Sequence, residues 1–272
     1  MKPAQPALKA IFNTANMSSM GAIFLSLGLG AREGAAIFAM AIVVGTYNKY
    51  QALTEKELLS QKNIWQKQMA DPSLTAKIVM GAATINLLHS VYQLFNEPGN
   101  EAMNITKASA WLFGLVGDNA LRRLDKVNFQ QNEDVVATKK SPLMASMEAM
   151  TYNPTFFYNL SNISMVAVLL QNPSNSAFDM LMGGITASLY VAADMHALKK
   201  SWAAAQGQIS AQEVNDGIMN RLTSVGGVGQ GVLAGVTGNF WVAGAQIMFA
   251  TSSMFSLYET RLALRKKNNL SL

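Results

Sequence analysis

Two pairs of asparagines, Asn13 with Asn16 and Asn159 with Asn162, share one spacing in distant parts of the chain. A step of three residues puts both members of a pair on one helix face. Side-chain amides donate and accept without carrying charge, which suits a polar ligand that is neutral or zwitterionic. The same chemistry also ties neighbouring helices together in a membrane, and both roles are open. Asp118 follows the apolar run Trp111-Leu112-Phe113-Gly114-Leu115-Val116-Gly117. A charge in such a setting costs roughly 2.5–3.5 kcal/mol on insertion scales. It is either a proton, cation or substrate anchor, or a residue near a helix end paired with Arg122 one turn on. Asn86 and His89 lie three apart and share a face. A histidine there relays protons, since its ordinary pKa is ~6.5, or it hydrogen-bonds the next helix. Gln230 completes the set from within a glycine-rich run. The expected solute-binding residues are therefore Asn13, Asn16, Asn86, His89, Asp118, Asn159, Asn162 and Gln230.

Other chemistries find little support. Asp194 and His196 are two apart, point in different directions on a helix, and make a poor metal pair. Two histidines and no cysteine argue against a structural zinc. The sequence has no HExxH, no Ser-His-Asp set in a sensible context and no paired carboxylates at catalytic spacing. No catalytic residue, metal or cofactor is expected. A lipid-modifying enzyme would need a polar cluster around Asp118, Asp194 and His196. The glycines from Gly226 to Gly238 are not a phosphate loop, because no Lys-Ser or Lys-Thr follows them. Gly227 with Gly231, and Gly231 with Gly235, read as small-xxx-small faces for close helix contact.

The elements that carry these residues are eight apolar segments: 10–29, 34–47, 78–95, 108–121, 155–170, 177–198, 222–236 and 240–258. They are too long and too rich in Ala, Leu and Met for strands, and period-two alternation is missing. The expectation is an all-α polytopic membrane protein of about eight transmembrane helices. Composition agrees: 50% of residues are hydrophobic and 14% charged, against about 25% charged in a soluble domain. A mean hydropathy of +0.16 is low for a bilayer protein. A helix needs ~20 residues to cross a ~30 Å hydrocarbon layer, and several segments are at or below that length.

Charge distribution orients the segments. Nineteen of the 21 Lys and Arg residues lie before the first segment, after the last, or between segments two and three, four and five, and six and seven. The opposite connections carry only Arg32 and Lys107. By the positive-inside rule both termini face the cytoplasm. The expected location is the cell membrane, a bacterial inner membrane or its equivalent. The net charge of +5 sits beside apolar segments, so the implied partner is anionic lipid at the cytoplasmic face rather than nucleic acid. Segment one has a basic lead, but Asn13, Asn16, Ser18 and Ser19 interrupt it, so it reads as a retained span and not a cleaved signal.

The chain also reads as a duplication, with four-helix repeats at 1–126 and 154–272 joined by a cytoplasmic linker at 127–153. The spacing matches Asn13 with Asn159 and Asn16 with Asn162, and an even number of spans per repeat makes the copies parallel. The stretch 54–70 reads as an imperfect amphipathic helix at the interface, or a solvated connector. The expected function is a transporter or channel-like protein that moves a small polar solute between the repeats. The alternative is a non-catalytic membrane subunit that scaffolds a larger complex. Other membrane proteins, or further copies of the chain, are the remaining partners implied.

Overall fold

The computed structural model describes residues 4–54, 72–130, 153–206, 208 and 217–252. Every regular element among the described residues is a helix, as expected. In chain order they are α1 (Ala4–Ile11), α2 (Thr14–Gly28), α3 (Arg32–Thr54), α4 (Pro72–Asn96), α5 (Glu101–Gln130), α6 (Pro154–Leu170), α7 (Ala177–Ala205), α8 (Gly217–Val236) and α9 (240–252). The amphipathic stretch at 54–70 and the linker at 127–153 fall almost wholly outside the described residues.

Helix boundaries follow local capping chemistry. The first apolar segment is not one helix from Ala10. Asn13 is extended, with φ −140° and ψ 165°, and its side chain accepts from the Asn16 backbone N–H at 3.0 Å. That cap starts α2 at Thr14 and leaves it 15 residues, about 22 Å at 1.5 Å per residue. Asn153 does the same for α6, accepting from the Phe156 N–H at 3.3 Å, with Pro154 in the first turn where a missing N–H is harmless. By helix start, the counterpart of Asn13 is therefore Asn153 and not Asn159. Gly99 and Gly238 take positive φ angles of 94° and 79°, and each is followed by Asn and then a helix. These are left-handed turns that a side chain would strain.

One helical stretch among the described residues, Leu74–Asn96, is long and apolar enough to cross a bilayer; Thr155–Leu170 is apolar but shorter. The outward surface is nevertheless apolar well beyond that helix. Leu88, Tyr92 and Phe95 on α4, Leu181, Ile185 and Met195 on α7, and Val225, Val228, Val232 and Val236 on α8 are all exposed. Conversely Asn86, Asn104, Asn159, Thr186, Asp194 and Gln230 are buried.

The helices form two compact units, one of Met1–Asn86 with Gly238–Leu272 and one of Leu87–Thr237. The first contains α1 to α3, the start of α4, and α9; the second contains the end of α4 and α5 to α8. In the first, α3 packs on α1 and α2. In the second, α6 is central: α5, α7 and α8 all pack on it, and α7 also packs on α8.

Candidate functional site

A buried polar arrangement lies inside the second unit, where α6, α7 and α8 meet. Thr186, Tyr190 and Asp194 recur every four residues on α7 and so form one stripe. All three are buried. The stripe meets α8 where α8 has no side chains. A Cβ on Gly229 would come within 2.6 Å of Thr186 Oγ1, and one on Gly226 within 2.9 Å of the Tyr190 ring. Glycine is what lets Tyr190 and Thr186 sit between the helices. The Tyr190 hydroxyl donates to Gln230 Oε1 at 2.8 Å.

One amide joins all three helices. Asn159 on α6 donates through Nδ2 to Asp194 Oδ1 at 2.7 Å, and its Oδ1 accepts from the Thr223 hydroxyl of α8 at 2.9 Å. The seam is incompletely satisfied. Thr186 Oγ1, Asp194 Oδ2 and Gln230 Nε2 are buried without a hydrogen-bond partner. Each such group costs roughly 1–3 kcal/mol, unless a water, ion or solute supplies what the protein does not. Outside the seam, Asn104 of α5 is fully buried with neither side-chain atom bonded, and His89 Nε2 and Gln93 Oε1 of α4 are in the same state.

The other expected site residues behave differently. Asn13 caps α2 and donates to the Ala10 carbonyl at 2.7 Å. Asn16 donates to the carbonyls of Ala10 and Ile11 and to Thr46 Oγ1 on α3, at 3.1, 2.9 and 2.7 Å. Asn86 donates to Ser26 Oγ at 2.8 Å, close against Gly34. In the first unit the amides thus tie helix to helix. Asp118 is half-buried on α5 and accepts from the Tyr158 hydroxyl at 2.6 Å, beside Gly117, whose missing side chain makes room for that ring. Asn162 is half-buried on α6. The structure thus brings Asn159 and Gln230 into one seam. It puts Asn13, Asn16 and Asn86 in the other unit.

Sequence reading passed over Thr186 and Tyr190, and weighed Asp194 only beside His196. The four-residue recurrence was visible, but α7 carries other polar residues such as Ser188 and His196, so the buried face could not be chosen. Of the expected glycine faces, Gly235 makes no close contact, since a Cβ there would meet nothing within 4 Å; Gly226 and Gly229 make close contacts to α7.

At the entry to α5 the Gly99 N–H donates to Glu101 Oε1 at 3.0 Å. That bond, with Glu101's own N–H, holds the carboxyl below its ordinary range. Burial lowers the Lys107 ammonium, against the opposing pull of the Glu97 carboxylate. Two depressions among the described residues are open and apolar. One, of about 530 Å³, runs along α7 and is lined by Met180, Leu181, Gly184, Ile185, Ser188 and Leu189. The other, of about 240 Å³, is lined by Phe24, Phe240, Trp241 and Gly244. None of the eight expected site residues lines either one. No group of three metal-ligating side chains occurs among the described residues. The chain matches no protein-family model, no curated protein and no solved structure.

Proposed function

We propose that the chain is an integral membrane protein of about eight helical spans that moves a small polar solute, with the α6–α7–α8 seam as its polar lining. The observation that carries this reading is the seam's unfilled hydrogen-bonding capacity, at Thr186 Oγ1, Asp194 Oδ2 and Gln230 Nε2. Asn16 of the first unit, by comparison, spends its amide N–H groups on two carbonyls and on Thr46 Oγ1. The exposed apolar faces of α4, α7 and α8 suit a lipid solvent, in which polar groups turn inward. The charge distribution supports cytoplasmic termini and anionic lipid at that face.

A duplicated four-helix ancestry also fits. Each compact unit takes its helices mainly from one half of the chain and adds some from the other, α9 in the first unit and α5 with the end of α4 in the second. Both α5 and α9 follow a left-handed Gly-Asn turn, at Gly99 and at Gly238.

The second reading, a non-catalytic subunit in a larger membrane complex, is favoured by the open apolar groove on α7. One experiment separates the two. Protein reconstituted in liposomes is challenged with osmotic gradients of urea, glycerol and glycine, and shrinkage and re-swelling are followed by stopped-flow light scattering. Transport predicts faster re-swelling than in empty liposomes for at least one probe, and slowing by Thr186→Val. Rates equal to those of empty liposomes for all three probes would favour the scaffold.

A further inference from the structure

Asp194 is the buried carboxylate of the seam, only 6% exposed. Its Oδ1 has one donor, Asn159 Nδ2 at 2.7 Å, and its Oδ2 has none. The amide cannot be turned around without loss, because its oxygen already accepts from Thr223 and would otherwise face the carboxylate. No cation answers Asp194 from the helices packed on α7. Tyr158 is the titratable residue of α6, and its hydroxyl is on Asp118. Arg221 is the charged residue of α8, and it is exposed. On α7 itself, Lys199 is exposed and His196 and Lys200 are half-buried, none of them bonded to Oδ2; Asp179 is half-buried in the first turn.

A buried carboxylate costs more to desolvate than one amide hydrogen bond returns. Among the described residues no cation supplies the compensating positive charge. One carboxylate compensates one charge, and no group of three metal-ligating side chains among the described residues offers a divalent ion the ligands it takes. We propose that Asp194 holds a single exchangeable monovalent cation, a proton or an alkali ion, between α6, α7 and α8. This rests on the membrane reading above and gives its transport step a coupling site. A proton binds Oδ2 directly. An alkali ion binds Oδ2 as a hard oxygen ligand and competes with that proton.

The test is infrared difference spectroscopy of the purified full chain in nanodiscs, with no solute added. In choline buffer, a pH change should raise one protonated-carboxyl signal that Asp194→Asn lacks and Asp118→Asn keeps. Sodium that removes the signal at fixed pH, with proton release to an indicator dye, identifies an alkali ion as competing occupant; sodium without effect identifies the proton alone. Thr223→Val, which loosens the amide that holds Oδ1, should shift the titration midpoint, and it serves as the readout if Asp194→Asn does not fold. Identical signals in the wild type and folded Asp194→Asn overturn the proposal, as does a midpoint unmoved by Thr223→Val. Solute flux is not part of this readout. An intact signal in a protein that re-swells no liposome counts against transport and not against this site.

Discussion

Replacing Asn159 by leucine removes two hydrogen bonds at once and tests what holds the seam together. The amide is fully buried, donates to Asp194 at 2.7 Å and accepts from Thr223 at 2.9 Å. Leucine keeps the branched four-atom shape, so no cavity is left. Losing the Thr223 bond costs about 0.6 kcal/mol, the mean for interhelical hydrogen bonds in a membrane. Losing the donor to a carboxylate costs about 1.5–3 kcal/mol more and leaves neither oxygen of Asp194 filled. The expected total is about 2–4 kcal/mol. The double variant Asn159→Leu with Asp194→Leu should recover at least half of this, because stranding a buried polar group costs more than removing both partners. Unfolding can be followed by tryptophan fluorescence during titration from mild detergent into dodecyl sulfate, and a double-mutant cycle gives the coupling. A single-variant cost under about 0.5 kcal/mol would mean that Asn159 is no more than average glue. A double variant as unstable as the sum of the singles would refute the stranded-carboxylate argument.

Three further outcomes are expected. Gly229→Leu should separate α7 from α8, since its Cβ would come within 2.6 Å of Thr186 Oγ1, and should cost about 1–3 kcal/mol in the same titration; Gly235→Leu, whose Cβ meets nothing, should leave the midpoint unchanged. Reporter fusions after Lys140 and after Lys267 should both report cytoplasm and one near Asn100 the opposite side, as the charge distribution requires; Asn100 and Lys140 on one side would remove the eight-span reading. Glu101→Gln should matter only where the carboxylate is ionised. The folded-state pKa lies below the ordinary 4.5, so the wild type gains stability over the variant above about that pH. The advantage disappears as pH falls through the lower folded value, which thermal midpoints measured across pH 3–7 would reveal.

Much of the architecture was legible from residue order alone, for a physical reason. Apolar runs rich in Ala, Leu and Met satisfy their backbone internally, so each expected segment has its helix, and Gly-Asn at 99–100 and 238–239 marks two of the turns between them. Charge placement, likewise a one-dimensional property, gave the orientation proposed here. Local chemistry still moved boundaries: Asn13 turned out to be a cap that interrupts the first segment, a role that depends on backbone angles and not on its distance from Asn16. Which polar residues belong together was a tertiary matter. The matched spacings of Asn13–Asn16 and Asn159–Asn162 did not lead to matched roles, because the neighbours differ: Asn16 meets carbonyls of its own segment and Thr46, while Asn159 meets Asp194 and Thr223 from helices far along the chain. The stripe of Thr186, Tyr190 and Asp194 became a buried seam only because Gly226 and Gly229, some forty residues away, left α8 bare where α7 needed room. Periodicity along a helix says which residues share a face, and only the packing of the next helix decides which face is inside.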